Sequence, residues 1–173
     1  MKQLPRATIH LTSIVSNWQA LDGLHPGATT AAVVKADAYG LGAVPVSRAL
    51  LRAGCSTFFV AYLEEALAVR KALGLGPRIF VLNGPARAEM SAYIAAGITA
   101  VLSSPDHLKA WASAPKGTCA LHFDTGMNRL GLGPNATQSL IDNPDWIEGL
   151  DVRQLMSHLA CSHEPDHPLN ARQ

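Results

Sequence analysis

Short apolar segments recur along this chain at a nearly constant spacing, and helix-like segments lie between them. Four segment centres, Val60, Val81, Val101 and Leu121, lie about 20 residues apart, the length of one strand, one helix and two short loops. The predicted strands cover residues 57–61, 78–82, 99–102, 118–123 and 151–157, after a strand that ends at Lys35. Alternating strands and helices predict a parallel sheet, either doubly wound or part of a (β/α)8 barrel.

Helices are predicted over residues 63–73, 87–96, 105–112 and about 135–142. Ser104 is the expected N-cap of the third, with Pro105 in its first position. Near the amino end, residues 8–11 are predicted as a short strand, and Thr12 as the cap of a helix that runs to Asp22. Six candidate strands are two fewer than a closed barrel requires.

Composition restricts the functional class. The 173 residues are 48% apolar and 16% charged, with a formal net charge of +1, which suits one domain with a real core. This balance does not favour a nucleic-acid or acidic-membrane partner. The apolar runs are too short to span a bilayer, and the amino end has no segment typical of a signal peptide. Three cysteines without paired spacing favour a reduced, cytoplasmic setting.

The first candidate functional residue is Lys35, within Ala31-Ala32-Val33-Val34-Lys35-Ala36-Asp37-Ala38-Tyr39-Gly40-Leu41-Gly42. A charged residue often simply marks where an apolar strand reaches water. However, poor solvation also favours the neutral amine of a lysine, the form that attacks a carbonyl to give a Schiff base. The sequence therefore indicates a lysine nucleophile at a strand end.

Two further strand ends carry candidate residues. Arg129 follows the turn in Leu121-His122-Phe123-Asp124-Thr125-Gly126-Met127-Asn128-Arg129, and its guanidinium can bind a carboxylate through two hydrogen bonds. The Asp-Thr-Gly turn also occurs in aspartic proteases, but those need a paired acid and a β-rich fold. His158 ends the last strand. The nearby Cys161, His163 and His167 resemble a metal cluster, but prolines interrupt them and no second ligand pair matches them.

The three candidate residues share a position in the predicted fold. Lys35, Arg129 and His158 all fall at or just beyond the carboxyl ends of predicted parallel strands. In a (β/α)8 barrel the carboxyl ends form the face that carries the active site. We therefore expect the three side chains to lie on one rim.

The same motifs, in the same order, resemble those of alanine racemases, which use pyridoxal 5'-phosphate (PLP). The Val-Val-Lys-Ala-Asp-Ala-Tyr-Gly-Leu-Gly and Asp-Thr-Gly-Met-Asn-Arg-Leu-Gly segments carry the resemblance, supported by Met-Ser-His-Leu-Ala-Cys. It implies that Lys35 holds PLP and is one of two proton-transfer bases. It also implies that Tyr39 contacts the cofactor phosphate, that Arg129 lies near the substrate carboxylate, and that His158 packs against the pyridine ring.

His122 departs from the family pattern, because it stands where many members carry a carbamylated lysine that orients the arginine. An imidazole cannot carry that carbamate, so the resemblance leaves open how Arg129 is held, and His122 is only a candidate residue behind the site. The family activity interconverts L- and D-alanine for peptidoglycan through two-base proton exchange at Cα. The second base is a tyrosine of an all-β domain in a partner subunit, and the complete protein is expected to be a homodimer.

The resemblance implies the amino-terminal part of a racemase. Residues 1–11 would hold a strand of an absent β domain, and residues 12–173 an incomplete PLP-binding barrel. We expect the isolated chain to be marginally stable and nearly inactive as a racemase. Three other interpretations remain open: a non-catalytic PLP carrier on the same barrel type, an inactive fragment that binds a full racemase subunit, and a decarboxylase with a different lysine context. No metal site is expected.

Overall fold

The computed structural model describes residues 6–113 and 117–173, which form one six-stranded parallel sheet. The strands pair in the order in which they occur along the chain. They are β1 (Ala32–Val33), β2 (Thr57–Val60), β3 (Arg78–Val81), β4 (Thr99–Leu102), β5 (Thr118–His122) and β6 (Asp151–Met156).

This strand order identifies the fold. A doubly wound sheet reverses its order at a switch point, whereas a (β/α)8 barrel adds each strand beside the preceding one. Here every pair is parallel and consecutive, from β1·β2 to β5·β6. The chain is therefore a partial barrel of six strands, with β1 and β6 at the edges of the described sheet.

Helices alternate with the strands, as the sequence predicts. They are α1 (Leu11–Asp22), α2 (Lys35–Tyr39), α3 (Ala43–Arg52), α4 (Leu63–Leu73), α5 (Met90–Ala95), α6 (Pro105–Ala112), α7 (Pro134–Asp142) and α8 (Pro168–Arg172). Short 3-10 turns cover Arg87–Glu89 and Pro144–Ile147. Ser104 caps α6 as expected, since its Oγ accepts a hydrogen bond from the His107 amide at 3.1 Å. None of the helices among the described residues is long and apolar enough to cross a membrane.

Helix α3 was not predicted from the sequence. Its buried stripe contains Ala43, Val46, Ser47 and Leu50, so a serine interrupts the apolar pattern. Pro45 also lies within its first turn, where a proline is tolerated because amides there lack a partner within the helix. The helix is stabilised by tertiary packing, since it contacts both α1 and α4.

The predicted strand over residues 8–11 is wrong. Residues 6–10 have no regular structure, and α1 already begins at Leu11, so Thr12 lies inside the helix rather than at its cap. The N-cap position is His10, whose carbonyl accepts a hydrogen bond from the Ser13 amide at 3.1 Å. No strand of the described chain pairs with this segment, so nothing stabilises an extended backbone there. Residues 1–5 lie outside the described residues, and the proposed division at residue 11 stays a prediction.

The sheet separates two apolar layers, because successive side chains of a strand point to opposite faces. The larger layer lies between the sheet and the helices and includes Phe58, Ile79 and Trp111. The smaller layer, Phe80, Val101 and Ala120, lies on the other face, which is the inside of the barrel. Phe59 stacks on Phe80 in this inner layer, with ring centroids 4.7 Å apart. The inner layer forms an apolar floor beneath the carboxyl ends of the strands.

Candidate active site

A cavity of about 510 Å³ opens at the carboxyl ends of the strands, above the inner layer. Its volume is in the range typical of small-molecule sites. Apolar side chains make up half of its lining and polar or charged side chains the other half. The apolar residues are Val33, Phe59, Ala61, Leu82, Leu130 and Met156, and the polar ones are Lys35, Tyr39, Asn83, His122, Arg129 and His158.

The segment that follows β1 brings Lys35 into this cavity through an unusual backbone. Residues 36–39 all have φ between 51° and 56°, so this single turn is left-handed. An L-residue in that conformation costs about 1–2 kcal/mol, because its Cβ crowds the following carbonyl. The turn places Lys35 at its start and Tyr39 at its end on the same cavity, although Tyr39 is 65% exposed.

Hydrogen bonds hold this strained turn at both ends. The Ala38 amide donates to the Val34 carbonyl at 2.9 Å, which ties the turn to the end of β1. At the far end, the Asp37 carboxylate accepts a hydrogen bond from the Ala43 amide at 2.7 Å, at the start of α3. The Asp37 carbonyl accepts another from the Gly42 amide at 2.8 Å. Strained backbone persists only where its surroundings fix it, and such segments cluster at functional sites.

Arg129 is presented by a closed loop after β5. Two backbone hydrogen bonds close the loop, from the Leu132 amide to the His122 carbonyl at 2.7 Å and from the Asp124 amide to the Leu132 carbonyl at 3.0 Å. Inside it, the Asp124 carboxylate accepts from the amides of Gly126 and Asn128, each at 3.0 Å. These two hydrogen bonds lower the pKa of Asp124. Among the described residues, Arg129 forms no ion pair or side-chain hydrogen bond, so its guanidinium is available to an anion.

Two histidines face this arginine as weak bases. His122 is 6% exposed, and burial lowers its pKa; the neighbouring His158 imidazole and the Arg129 charge add to this effect, while the Asp124 carboxylate opposes it. Burial also lowers the pKa of His158, and the charges of Arg129 and Lys35 add to the effect. Both imidazoles are therefore neutral at neutral pH. The Nδ1 atom of His122 is buried without a hydrogen-bond partner among the described residues.

Gln173 organises the loop that carries His158. Its Oε1 accepts a hydrogen bond from the Ala160 amide at 2.9 Å, and its Nε2 donates to the His158 carbonyl at 3.1 Å. The same Nε2 donates to the Thr125 hydroxyl at 3.3 Å, and that hydroxyl also hydrogen-bonds the Ser157 hydroxyl. One side chain thus connects the loop after β6 with the loop after β5.

The structure brings all five sequence-predicted site residues to one cavity: Lys35, Tyr39, His122, Arg129 and His158. Two of the three residues that resembled a metal cluster have other partners. His167 Nδ1 accepts from the Leu169 amide at 3.2 Å, and His163 lies 3.1 Å from the carboxylate of Glu164. A second cavity, of about 560 Å³, lies at the amino ends of β4, β5 and β6 near Ile98 and Thr118, and none of the five candidates lines it.

Comparison with known proteins establishes the family. The sequence model described as "Alanine racemase, N-terminal domain" matches residues 9–173. The chain belongs to this family. It is 46% identical over 172 residues to a catabolic alanine racemase of Mesorhizobium japonicum, covering 96% of this chain and 45% of that protein. It is also 46% identical over 172 residues to an alanine racemase of Rhodospirillum rubrum, covering 96% of this chain and 46% of that protein.

A solved structure gives the same family. The alanine racemase of Bartonella henselae, which has covalently bound pyridoxal phosphate, superposes with a TM-score of 0.89 at 36% identity. That match covers 95% of this chain and 49% of the Bartonella chain. The chain thus spans a little less than half the length of these alanine racemases.

Sequence reasoning missed several residues that build this racemase-family site. Asn83 lines the cavity just after β3, and its position at a strand end was the available signal. Asp124 was visible within a recognised motif, but its role as the acceptor that shapes the arginine loop depends on backbone geometry. Gln173 is 48 residues away from Thr125, and no local pattern indicates that contact.

Proposed function

We propose that this chain is the cofactor-binding barrel domain of an amino-acid racemase that interconverts L- and D-alanine, with PLP held by Lys35. One observation carries the proposal: a lysine amine, an arginine without a side-chain partner among the described residues and two neutral imidazoles share one cavity above an apolar floor. A phosphorylated aromatic aldehyde and a small amino acid need this combination of an amine, a carboxylate-binding cation and apolar walls.

The cavity fits PLP in size and chemistry. About 510 Å³ accommodates a compact aromatic cofactor together with a small substrate, and Phe59, Leu82 and Met156 offer apolar contact. The Nδ1 of His122, which has no partner in the described part of the chain, offers a buried polar atom to the site. We assign Lys35 as the covalent anchor, through a C=N bond formed with loss of water. The phenol of Tyr39 is assigned to the phosphate, and the ring of His158 to the cofactor ring.

Each residue then has a definite task. PLP, when bound, supplies an electron sink that makes the Cα proton of an amino acid acidic. Lys35 takes or returns this proton at one face of Cα, as a positioned general base. Arg129 binds the substrate carboxylate, since a guanidinium can form two parallel hydrogen bonds with it. We assign the neutral His122, whose Nδ1 has no hydrogen-bond partner among the described residues, as the group that would accept from Arg129 when substrate binds, in place of the carbamylated lysine of other members.

Racemisation requires a base on each face of Cα. By family resemblance the second base is a tyrosine of a partner subunit, so we propose that the racemase acts as a homodimer in the cytoplasm. Lys35 alone serves one face. The 173-residue chain should therefore exchange the Cα proton with solvent faster than it interconverts the enantiomers.

Proton exchange in D2O tests this proposal. The chain is incubated with PLP and either L- or D-alanine, and loss of the Cα proton signal is followed by NMR. We expect exchange above the level of free PLP, reduced to that level in Lys35→Ala and retained in Lys71→Ala, a change at an exposed lysine of α4. Exchange at the level of free PLP, or equal exchange in wild type and Lys35→Ala, would refute catalysis. Covalent PLP on Lys35 without any exchange would instead support a carrier protein.

A further inference from the structure

The carboxylate of Glu65 joins two separate segments of the site. One oxygen accepts hydrogen bonds from the amides of Ala61 and Tyr62, at 2.7 and 3.1 Å, just before and at the start of α4. This is ordinary capping by a glutamate in the first turn of a helix. The other oxygen accepts a hydrogen bond from the amide of Ala36, 29 residues earlier in the chain. That amide belongs to the peptide bond that directly follows Lys35.

The bond to Ala36 lies at a sensitive position. The left-handed turn begins at Ala36, so the peptide between residues 35 and 36 sets the direction in which Lys35 leaves the backbone. Asp37 holds the far end of the same turn through the amide of Ala43. Glu65 is the corresponding carboxylate at the near end, next to the lysine. It fixes this peptide against the short turn between β2 and α4, which contains Ala61 and Tyr62.

We propose that Glu65 is a positioning residue for Lys35. Its carboxylate holds the 35–36 peptide in one orientation and so keeps the lysine amine directed at the cavity. This inference rests on the proposed function in that Lys35 is the residue to which PLP attaches. Glu65 itself is not among the residues that line the cavity, so it acts through the backbone of Lys35.

Glu89 provides a matched control within the same chain. Its carboxylate accepts a hydrogen bond from the amide of Ala86, 2.9 Å away. It therefore caps the 3-10 turn Arg87–Glu89 in the way that Glu65 caps α4. In the described part of the chain that carboxylate makes no bond to the lysine turn. Glu65→Gln and Glu89→Gln therefore remove one capping charge each, but only the first touches the peptide after Lys35.

The experiment measures the reactivity of Lys35 in both variants. PLP attachment is trapped with borohydride at increasing times and located by peptide mass mapping. In parallel, trace labelling with acetic anhydride across a pH series reports the reactivity of Lys35 without cofactor, with Lys71 and Lys109 as internal references. A glutamine keeps only one acceptor oxygen, so one of the two segments loses its partner. We expect attachment at Lys35 to slow about tenfold in Glu65→Gln, which is the effect of losing a charge-assisted hydrogen bond.

The expected pattern is specific to Lys35. In Glu65→Gln its anhydride pH profile should change, while Lys71 and Lys109 keep theirs, and Glu89→Gln should match wild type. Equal rates and profiles in Glu65→Gln and wild type would overturn the proposal, and so would equal slowing in both variants. If wild type attaches no PLP at Lys35, the proposed function fails, and the anhydride profiles alone still decide the role of Glu65.

A measurement on the wild-type chain covers the case in which Glu65→Gln does not fold. Hydrogen exchange by NMR follows the amide of Ala36 directly. A slow exchange comparable to that of the Ala61 amide supports the proposal. Exchange as fast as that of an open loop amide would overturn it, because the bond to Glu65 would then not persist in solution.

Discussion

Gly131 gives the sharpest test of how the arginine loop is built. Its φ is +120°, and a Cβ at this position would lie 2.5 Å from the Asp124 amide nitrogen and 2.8 Å from the Phe123 carbonyl carbon. Ordinary Cβ contacts are 3.4–4 Å, so Gly131→Ala must displace backbone that hydrogen bonds hold in place. Backbone strain of about 1–3 kcal/mol adds to overpacking of about 1–3 kcal/mol, so the expected loss of stability is about 3 kcal/mol or more.

Two other glycines separate the causes of this loss. Gly149 has a φ of +75°, but no neighbouring atom of residues 6–113 or 117–173 lies within 4 Å of an added Cβ, so Gly149→Ala measures mainly backbone strain. Gly76 has neither feature, and Gly76→Ala should leave stability unchanged within about 1 kcal/mol. Urea unfolding followed by tryptophan fluorescence should rank the losses Gly131→Ala, then Gly149→Ala, then Gly76→Ala. Equal losses at Gly131 and Gly149 would show that the close approach to Asp124 does not exist.

Three further predictions concern a helix cap, the buried histidines and the loop of His158. Ser104→Ala removes the N-cap of α6 and should cost about 1 kcal/mol in urea unfolding, whereas an unchanged midpoint would contradict the cap. The folded state lowers the pKa of His122 below its usual 6.5. The contribution of the neutral His122 to the free energy of unfolding is therefore complete above pH 6.5 and is lost as the pH falls through the lowered pKa. His122→Asn should therefore reduce the loss of unfolding free energy between pH 7.5 and pH 5. An unchanged pH dependence of this free energy would refute the burial of His122. Gln173→Ala frees the His158 carbonyl and should speed PLP dissociation several-fold, measured by absorbance, while Gln138→Ala on exposed α7 should not.

The sequence was sufficient to place most of the sheet. Regular spacing located β2 to β5 within a residue or two, because each of these strands is largely apolar and buried. Strand β6 was located from its own sequence, although it is only partly buried. The sequence could not choose between a doubly wound sheet and a barrel, since both alternate strands with helices. Only the pairing order, which depends on contacts between distant segments, decides that question.

The failures at the sequence level also have physical causes. Residues 8–11 have the composition of a strand, but a strand requires a neighbour, and the described chain offers none. The apolar pattern of α3 is broken by the buried Ser47. The left-handed turn after Lys35 was invisible, because alanine and aspartate rarely adopt positive φ and nothing local indicates it. Glu65 showed only the spacing of a helix cap, and its bond to Ala36 is purely tertiary.

The candidate site was predictable because its residues lie at strand ends. Parallel strands place their carboxyl ends on the same side of a sheet, so Lys35, His122 and His158 were expected there once the strands were placed. The curvature of the barrel then brings them to one cavity. The geometry that makes them usable was not predictable. The closed loop that presents Arg129 and the burial of His122 come from packing, and no spacing rule contains them.

The central claim is that Lys35 is the covalent anchor of PLP, and peptide mapping tests it most directly. The chain is incubated with PLP, reduced with borohydride and digested, and the modified lysine is located by mass spectrometry. We expect one label per chain, on Lys35, lost in Lys35→Ala and retained when the sample is diluted before reduction. Labels spread evenly over Lys71 and Lys109, or no stable label on Lys35, would contradict it.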